Sequence, residues 1–256
     1  MAVLHLNSRV TKINHNGKAV TSVTINGGTD TEQIVEGKDF LSTLPIKELF
    51  RILDPAPPKE ILEIAAGLRY RDFMIVALII EEEELFPDNW IYIHSADVTV
   101  GRVQNFKNWS PDMVPDPKNT ALGMEYFLQA GDDLWNTADD ELVAMARKEC
   151  AQLKLANIDK IVDGTVLRVP KAYPVYSPTH DSEMARLREW LGKLDNLQLI
   201  GRNGQHHYNN QDHSMMTGVL AARNINGEAN DIWSVNVDEE YHEEKRDLGG
   251  FPANKS

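Results

Sequence analysis

The sequence predicts an α+β fold: a mixed, largely antiparallel sheet with flanking helices, followed by a short returning strand and helix. Hairpin turns are indicated by Asn16-Gly17 and Asn26-Gly27-Gly28, which separate runs rich in β-branched residues. Phe73–Ile80 is a continuous apolar run of the kind found in buried strands. Asp139–Leu155 places apolar residues on one face of a helix. These patterns together predict a sheet that packs against helices.

The first third of the chain is predicted to alternate extended segments with short helices. Ile46–Leu53 has apolar residues at helical spacing. Pro57-Pro58 begins a second helix that runs to Ala66, because proline suits the first helical turn, where its missing N–H has no partner. The extended segments predicted before these helices are Val3–Leu6, Arg9–Ile13 and Lys38–Leu44.

The rest of the chain continues this alternation. Three further strands are predicted at Trp90–His94, Arg102–Phe106 and Leu122–Leu128. The later elements are an extended segment at Val166–Tyr176 that Pro170 and Pro174 interrupt, a helix at Ser182–Leu194, a strand at Leu197–Ile200 and a helix at Asp212–Ile225. A polar tail follows the last helix.

The composition is that of an ordinary globular protein, with 42% hydrophobic and 25% charged residues among 256. Because a formal net charge of −13 repels phosphate backbones, we expect no nucleic-acid partner. The acidic segments Glu81–Glu84 and Asp238–Asp247 are interpreted as solvated faces.

The single cysteine, Cys150, excludes an intramolecular disulfide and is predicted to be a small packed side chain. The longest apolar run, Met74–Ile80, is far shorter than the roughly 20 residues that cross a bilayer. We therefore expect no membrane span and a cytoplasmic location.

The segment Leu197–Ile225 contains the chemistry most suggestive of a site. A short strand leads into Gly201-Arg202-Asn203-Gly204, where glycine lets the backbone approach a flat or anionic ligand closely. Asp212 is predicted to be the N-cap of the next helix, whose free amides and positive dipole end suit an anion. The alternative is that Asp212 is only a cap and the glycines only a turn; the density of polar residues favours a site.

Three segments of the chain resemble a known superfamily. The run Gly201–Met215 resembles the last flavin-binding motif of the amine oxidase and protoporphyrinogen oxidase superfamily. It is also similar to the motif of UDP-galactopyranose mutases, with Gly-Arg, Gly, Tyr and a final Asp. Phe40–Pro45 resembles the strand that leads into a Ser-Thr-Leu-Pro turn, and Val169–Pro174 resembles the strand that crosses the substrate cavity. The resemblance therefore covers nearly the whole chain.

The resemblance implies FAD as the cofactor and assigns roles to ten residues. The residues that would contact the cofactor are Gly201, Arg202, Gly204, Asp212, His213, Ser214 and Met215. The residues that would contact a small-molecule substrate are Tyr208, Lys171 and Tyr173. In this assignment Asp212 lies near the ribityl or pyrophosphate part of FAD. The amides of His213, Ser214 and Met215 face the pyrimidine carbonyl of the flavin ring. Tyr208 matches a position that reaches phosphates in the mutases. No catalytic residue is assigned.

The sequence departs from the superfamily pattern in two respects. The superfamily binds the ADP half of FAD with an N-terminal Rossmann unit, and no G-x-G-x-x-G turn occurs here. Amine oxidases also place a lysine near the flavin N5 on the strand that corresponds to Phe73–Ile80, which contains none. The chain is therefore predicted to be the C-terminal part of an FAD-dependent oxidoreductase, inactive or incomplete without a dinucleotide-binding domain. A separate dinucleotide-binding chain is one source of that domain.

The predicted organisation has three parts. Residues 1–196 form a substrate-type domain, 197–228 form a flavin-facing strand, loop and helix, and 229–256 form a polar tail.

Two other groups of residues are weighed as sites. His206, His207, Asp212 and His213 are metal-ligand types, but their spacing fits no standard zinc pattern, so we predict no metal. A sugar- or ring-stacking surface is the second alternative, formed by Trp90, Tyr92, His94, Asn105, Asn108 and Trp109. Core packing is favoured for Trp90 and Tyr92. The segment Asn105–Pro111 remains a candidate cavity wall.

Three hypotheses about function therefore stand at this stage. The first is a portion of an FAD-dependent oxidoreductase of the amine oxidase type. The second is a mutase-like flavoenzyme that acts on a nucleotide sugar, in which Arg202 and Tyr208 contact phosphates. The third is a ligand- or partner-binding module without catalytic activity.

Overall fold

Residues 3–236 are the part of the chain that this computed structural model describes, and they form eleven strands and eight α-helices. The strands are β1 (Val10–His15), β2 (Val20–Ile25), β3 (Gln33–Glu36), β4 (Phe40–Ser42), β5 (Leu53–Asp54), β6 (Arg69–Ile80), β7 (Trp90–Tyr92), β8 (Arg102–Asn105), β9 (Thr120–Leu128), β10 (Ile161–Val175) and β11 (Leu197–Leu199). The helices are α1 (Ile46–Ile52), α2 (Lys59–Gly67), α3 (Phe106–Trp109), α4 (Asp133–Asn136), α5 (Asp139–Gln152), α6 (His180–Leu191), α7 (Gly201–Gln205) and α8 (Gln211–Ile225).

The first sheet has the strand order β3-β2-β1-β5. Its β1–β2 hairpin is antiparallel as predicted, and the turn contains Gly17 at φ +88°, a conformation that favours glycine. Strand β3 adds to the edge of β2 and was not predicted. The extended segment predicted at Val3–Leu6 is wrong: these residues form no strand, and Val3 and Leu4 are exposed because no neighbouring strand covers them.

The second sheet has the order β10-β6-β9-β8-β7, and every neighbouring pair in it is antiparallel. The interior strand β6 pairs with a strand on both sides, which confirms the prediction of a buried strand at Phe73–Ile80. Helix α5 covers one face of the sheet with Leu142, Ala146 and Cys150, all buried as predicted. A mixed α+β fold with a largely antiparallel sheet is therefore confirmed.

The third sheet contains β4 and the returning strand β11, which pair in parallel with Leu197 opposite Phe40. Helices α7 and α8 follow β11 directly, so the predicted order of returning strand and helix is confirmed. The predicted absence of an N-terminal Rossmann unit remains a prediction.

Two hydrophobic cores stabilise the fold. The first includes Ile13, Phe50, Leu187 and Leu199, and therefore joins the first sheet, α1, α6 and the returning strand. The second lies between the five-stranded sheet and α5. Burial of this apolar surface is the main favourable contribution to folding. The predicted boundaries at 196 and 228 remain a prediction.

The acidic segment Glu81–Glu84 is largely exposed, which agrees with a solvated face. The acidic segment 238–247 and the rest of the predicted tail beyond Asn236 lie outside the described residues. The described part of the tail is anchored by Ile232, which packs in a buried position.

Candidate functional site

The helix that follows the predicted motif, α8, has Asn210 as its N-cap. Asn210 and His213 form a capping box, in which the Asn210 N–H donates to His213 Nδ1 at 3.3 Å. Asp212 lies in the first turn with an exposed carboxylate, so the prediction that it is the N-cap is wrong. Asn and Asp cap helices about equally well, and the extended backbone of Asn210 (φ −76°, ψ 179°) places the cap there. The negative charge of Asp212 is still favourable at this end of the helix dipole.

The first amides of α8 differ in their availability. The capping box occupies the amide of His213, and the Ser214 N–H donates to the Asn210 carbonyl oxygen at 3.0 Å. Both amides thus have protein acceptors, and their predicted use toward a cofactor remains a prediction. The amides of Gln211 and Asp212, in the first turn, have no carbonyl partner within the helix and can donate to an external acceptor.

A cavity of about 420 Å³ opens beside the start of α8. Its volume is within the range of small-molecule sites. It is lined by Arg202, Asn209, Asn210, Gln211, Ser214 and Met215. Three predicted cofactor contacts, Arg202, Ser214 and Met215, thus lie on one cavity. The side-chain oxygen of Asn209, a residue of this wall, is buried without a hydrogen-bond partner within residues 3–236.

Arg202 connects the motif to the five-stranded sheet. Its Nε donates to the Asn209 carbonyl oxygen at 2.8 Å, and its Nη1 donates to the Ala172 carbonyl oxygen at 3.0 Å. Its guanidinium carbon lies 5.0 Å from the ring centre of Tyr173 and 4.8 Å from that of Tyr208, a cation–π arrangement. Arg202, which is predicted to contact the cofactor, therefore also holds together Tyr173 and Tyr208, which are predicted to contact the substrate.

The two motif glycines serve different purposes. Gly201 has φ +72°, and its N–H donates to Thr217 Oγ1 at 2.9 Å. Gly204 lies against β4, where a Cβ atom would come within 2.8 Å of the Ser42 carbonyl oxygen. Gly204 thus permits a close approach between α7 and β4, and its predicted contact with a flavin remains a prediction.

Tyr208 and Tyr173 stack with ring centres 6.0 Å apart and planes 15° apart. Tyr208 is 42% exposed, whereas its backbone N–H is fixed by a 2.7 Å hydrogen bond to the hydroxyl oxygen of Tyr176. The Tyr173 hydroxyl accepts from Arg102 Nη2 at 3.2 Å. The structure therefore brings these two predicted substrate contacts to one surface.

Lys171, the third predicted substrate contact, already has a partner. Its Nζ lies 2.6 Å from a carboxylate oxygen of Glu48 on α1. The hydrogen bond from Lys171 lowers the pKa of Glu48 below its ordinary value, although partial burial opposes the shift. Lys171 has φ +57° and lies at an irregularity in β10, between Val169 and Tyr173.

The irregularity in β10 depends on Asp72, which sequence reasoning missed. The carboxylate of Asp72 is almost completely buried and accepts from the N–H groups of Lys171 at 2.7 Å and Ala130 at 2.6 Å. Extra residues in one strand of a pair bend it and redirect its side chains. Asp72 thereby fixes the bend that brings Ala172 and Tyr173 to Arg202. An aspartate inside an apolar strand was the only signal in the sequence.

A group of buried rings, here called the His206 cluster, lies next to the end of α7 and consists of Tyr70, His180 and His206. The ring of His206 lies 4.7 Å from that of Tyr70 and 5.4 Å from that of His180. Both nitrogens of His206, the Tyr70 hydroxyl and Nδ1 of His180 are buried and make no hydrogen bond of normal length and angle in the described chain. The backbone of Val175 lies near enough to His206, and that of Lys47 near enough to Tyr70, for a weak interaction. Burial, with a smaller effect from His180, lowers the pKa of His206 from 6.5 to about 4. The cluster joins distant segments, so no local pattern predicted it.

The aromatic residues of the edge strand β7 differ from the prediction. Trp90 is 38% and Tyr92 is 56% exposed, so their assignment to the core is wrong. The neighbouring Ile91 and Ile93 pack against the second core instead. The Arg102 guanidinium lies 5.8 Å from the Trp90 ring centre and is paired with the fully buried Glu125 carboxylate.

The Asn105–Pro111 segment, predicted as a cavity wall, has a structural role in the fold. Asn105 is buried, and the Asn108 side-chain amide donates to the carbonyl oxygens of Phe86 and Asp88. Phe106 covers the sheet at Gly123, where a Cβ atom would come within 2.7 Å of its ring. Its role as a wall of the substrate cavity remains a prediction.

Within residues 3–236, no three side chains of His, Cys, Asp or Glu are arranged to hold a metal ion. None of the helices in that range has the length and apolar character that a membrane crossing requires. Cys150 is buried, as predicted for a packed side chain, and burial raises its pKa to about 11.

A family model described as flavin containing amine oxidoreductase matches residues 2–245 of the chain. No curated protein sequence matched the chain.

Several solved structures share the fold. Reduced UDP-galactopyranose mutase has a TM-score of 0.72 and 19% identity, over 90% of this chain and 49% of that one. A triple mutant of putrescine oxidase has a TM-score of 0.59 and 15% identity, over 87% of this chain and 49% of that one. A protein described as a protoporphyrinogen oxidase from Exiguobacterium sp. 255-15 has a TM-score of 0.56 and 14% identity, over 84% and 47%. The chain therefore spans about half the length of these structures.

Proposed function

The chain belongs to the family of flavin-containing amine oxidoreductases, and on that basis we propose that it forms the substrate-facing and flavin-facing half of an FAD-dependent oxidoreductase. The observation that carries this proposal is the 420 Å³ cavity at the start of α8, with Arg202 on its wall and Tyr173 and Tyr208 beside it. One end of a planar cofactor fits there, between a helix dipole and a surface of stacked rings.

The residues at this cavity suit the polar edge of a flavin. The first-turn amides of Gln211 and Asp212 and the helix dipole favour negative charge, which develops on a reduced flavin. The unpartnered oxygen of Asn209 is an acceptor of the kind that an imide N–H requires. Arg202 orients the rings that face the substrate. When bound, the flavin supplies the electron transfer, and the protein orients it and excludes water.

The proposal includes a dinucleotide-binding unit outside the 256 residues described by this sequence. The sequence has no G-x-G-x-x-G turn, so another polypeptide segment would hold the ADP half of FAD. Without that unit we expect the chain to be inactive. A small-molecule substrate and a cytoplasmic location belong to the same proposal.

Flavin binding tests the proposal. FAD is titrated into the chain, alone and co-expressed with a dinucleotide-binding unit, and quenching of flavin fluorescence is measured. Arg202→Met should weaken binding about tenfold or more, because the cavity wall and its ring contacts are lost together. Arg223→Met, on an exposed residue in the last turn of α8, is the matched control and should leave binding unchanged. The proposal fails when neither preparation binds FAD, and the non-catalytic binding module is then favoured.

A mutase-like activity on a nucleotide sugar is the second candidate. The exposed ring of Tyr208 beside the Arg202 guanidinium favours it, because a cation next to an aromatic face suits a phosphate joined to a planar base. UDP should bind, and Tyr208→Phe should weaken that binding. Reduction of the bound flavin by an amine, with no affinity for UDP, would instead favour the oxidase.

A further inference from the structure

The backbone of Tyr208 is held by side chains. Tyr208 lies in the loop between α7 and α8, outside any helix or strand. Its N–H donates to the Tyr176 hydroxyl oxygen at 2.7 Å, and its carbonyl oxygen accepts from Nδ2 of Asn236 at 2.7 Å. Within residues 3–236, neither its N–H nor its carbonyl oxygen pairs with another main-chain group. The position of Tyr208 therefore depends on two side chains that are distant in the sequence.

Asn236 contacts the same loop a second time. Its carbonyl oxygen lies 2.8 Å from Nε2 of His207. Because a carbonyl oxygen can only accept, Nε2 carries the proton in this hydrogen bond. Asn236 has φ +60°, in the left-handed region that asparagine adopts more readily than most residues. Its side chain and its main chain thus bind two neighbouring residues of one loop.

The segment that contains Asn236 is anchored by other contacts. The Ile232 side chain is buried, and the Ile232 carbonyl oxygen accepts from Nε2 of the buried Gln205 on α7 at 2.9 Å. The Arg188 guanidinium carbon on α6 lies 4.7 Å from a ring centre of Trp233. None of these contacts involves Asn236. The segment after α8 is therefore fixed independently, and it presents the Asn236 amide to the loop from a defined position.

We propose that Asn236 and Tyr176 are positioning residues that hold the Tyr208 ring beside Tyr173 and Arg202, so that the segment after α8 is part of the candidate site. The inference rests on the proposed function, which gives this ring a substrate to contact. The ring stacks on Tyr173 and lies over the Arg202 guanidinium, while Tyr208 remains 42% exposed. A ring whose backbone is fixed before binding loses less conformational entropy when a ligand covers it.

Fluorine NMR tests the positioning. The chain has seven tyrosines, so labelling with 3-fluorotyrosine gives few resonances, and the one that Tyr208→Phe removes belongs to Tyr208. Asn236→Asp keeps the size of the side chain and its tolerance of a left-handed backbone, but it removes the donor to the Tyr208 carbonyl oxygen. The ratio of released to held ring should rise about fivefold or more, which moves the Tyr208 resonance toward its position in urea-unfolded protein. The resonance of Tyr92, on strand β7, should not move.

Two further variants separate positioning from stability. Tyr176→Phe keeps the ring but removes the acceptor of the Tyr208 N–H, and it should move the Tyr208 resonance in the same direction. Asn226→Asp is the matched control, because Asn226 also donates its amide to a main-chain carbonyl oxygen, that of Ala222 at 3.0 Å, at the far end of α8. This control should leave the Tyr208 resonance unchanged, even where urea denaturation shows a similar loss of stability.

Three results would overturn the inference. The first is a Tyr208 resonance that stays in place in Asn236→Asp or in Tyr176→Phe, because that contact then only attaches its segment to the loop. The second is an equal shift in the control Asn226→Asp. The third is a Tyr208 resonance of the unchanged protein that already lies at its unfolded position. Flavin binding with an unmoved Tyr208 resonance contradicts only this inference, whereas a moved resonance without flavin binding contradicts only the proposed function.

Discussion

Two buried polar clusters in different parts of the molecule are built in opposite ways. In the second core, the Glu149 carboxylate accepts from the N–H groups of Thr99 at 2.6 Å and Val100 at 3.2 Å, and from the Tyr126 hydroxyl at 2.9 Å. In the His206 cluster, neither nitrogen of a completely buried imidazole makes a hydrogen bond of normal length and angle within the described residues. Buried polar groups normally have partners, because each unmade hydrogen bond costs free energy.

The contrast separates a region built for stability from a region that retains unsatisfied polar groups. The Glu149 cluster fixes the loop before β8 to helix α5. The His206 cluster lies beside the motif that lines the cavity, and four of the polar atoms there, in three residues, lack a hydrogen bond of normal length and angle within residues 3–236. Ordered water or a ligand can satisfy such atoms, whereas no further group is needed at Glu149.

The largest effect is expected from Glu149→Leu. The substitution leaves two backbone N–H groups and the Tyr126 hydroxyl without their acceptor, so the free energy of unfolding should fall by about 3 to 5 kcal/mol. Urea denaturation measures the change. Glu141→Gln, at an exposed position on the same helix, is the control. A decrease in the free energy of unfolding below about 1 kcal/mol would show that the Glu149 cluster contributes little to stability.

The next largest effect is the acid sensitivity of the His206 cluster. Because the folded protein lowers the pKa of His206 from 6.5 to about 4, the unfolded chain binds the proton first, and acid favours unfolding. Stability should fall by about 3 kcal/mol between pH 6.5 and 4, and His206→Phe should remove that part of the loss. His180, whose pKa burial also lowers, acts in the same direction. His94→Gln, at an exposed position, is the control. If stability depends on pH equally in His206→Phe and in this control, His206 is not the source of the acid sensitivity.

A smaller loss of stability is expected from Asp72→Ala. This substitution tests a buried carboxylate that has its hydrogen-bond donors and lies close to the candidate site. Two N–H groups, of Lys171 and Ala130, lose their acceptor, and unfolding should become easier by about 2 kcal/mol. The bend in β10 should relax as well, which weakens FAD binding in the titration described above. Destabilisation with unchanged flavin affinity would limit Asp72 to a structural role.

The smallest effect is expected from Tyr126→Phe. The Glu149 carboxylate keeps both backbone donors and loses only the hydroxyl, so the cost should be about 1 kcal/mol. Thermal unfolding of this variant beside Glu149→Leu shows how the cluster divides its contribution. A cost equal to that of Glu149→Leu would mean that the hydroxyl, rather than the two amides, dominates.

The elements with strong local patterns were predicted well. Helix α5 and strand β6 have regular periodicity or a continuous apolar run, and the β1–β2 hairpin has a glycine turn. Strand β3 was missed because all four of its residues are exposed, so no alternation marks it. Trp90 and Tyr92 were misplaced because alternation shows which residues share a face, but not which face is covered.

The candidate site was predicted as a segment but not as an arrangement. Residues 201–215 were identified, yet the choice between Asn210 and Asp212 as the cap depends on backbone angles that residue type does not determine. The His206 cluster combines residues at positions 70, 180 and 206, and such contacts exist only once the chain has folded.

Arg202 donates to the carbonyl oxygens of Asn209 and Ala172 at once, and these belong to the motif predicted to face the cofactor and to strand β10. A ligand that displaces this guanidinium on the motif side changes the binding free energy of a ligand on the β10 side. The reverse also holds. Such coupling is reciprocal: the factor by which one ligand alters the affinity of the second equals the factor by which the second alters that of the first. Arg202 is thus the residue through which ligands bound at the motif and ligands bound at β10 would be coupled.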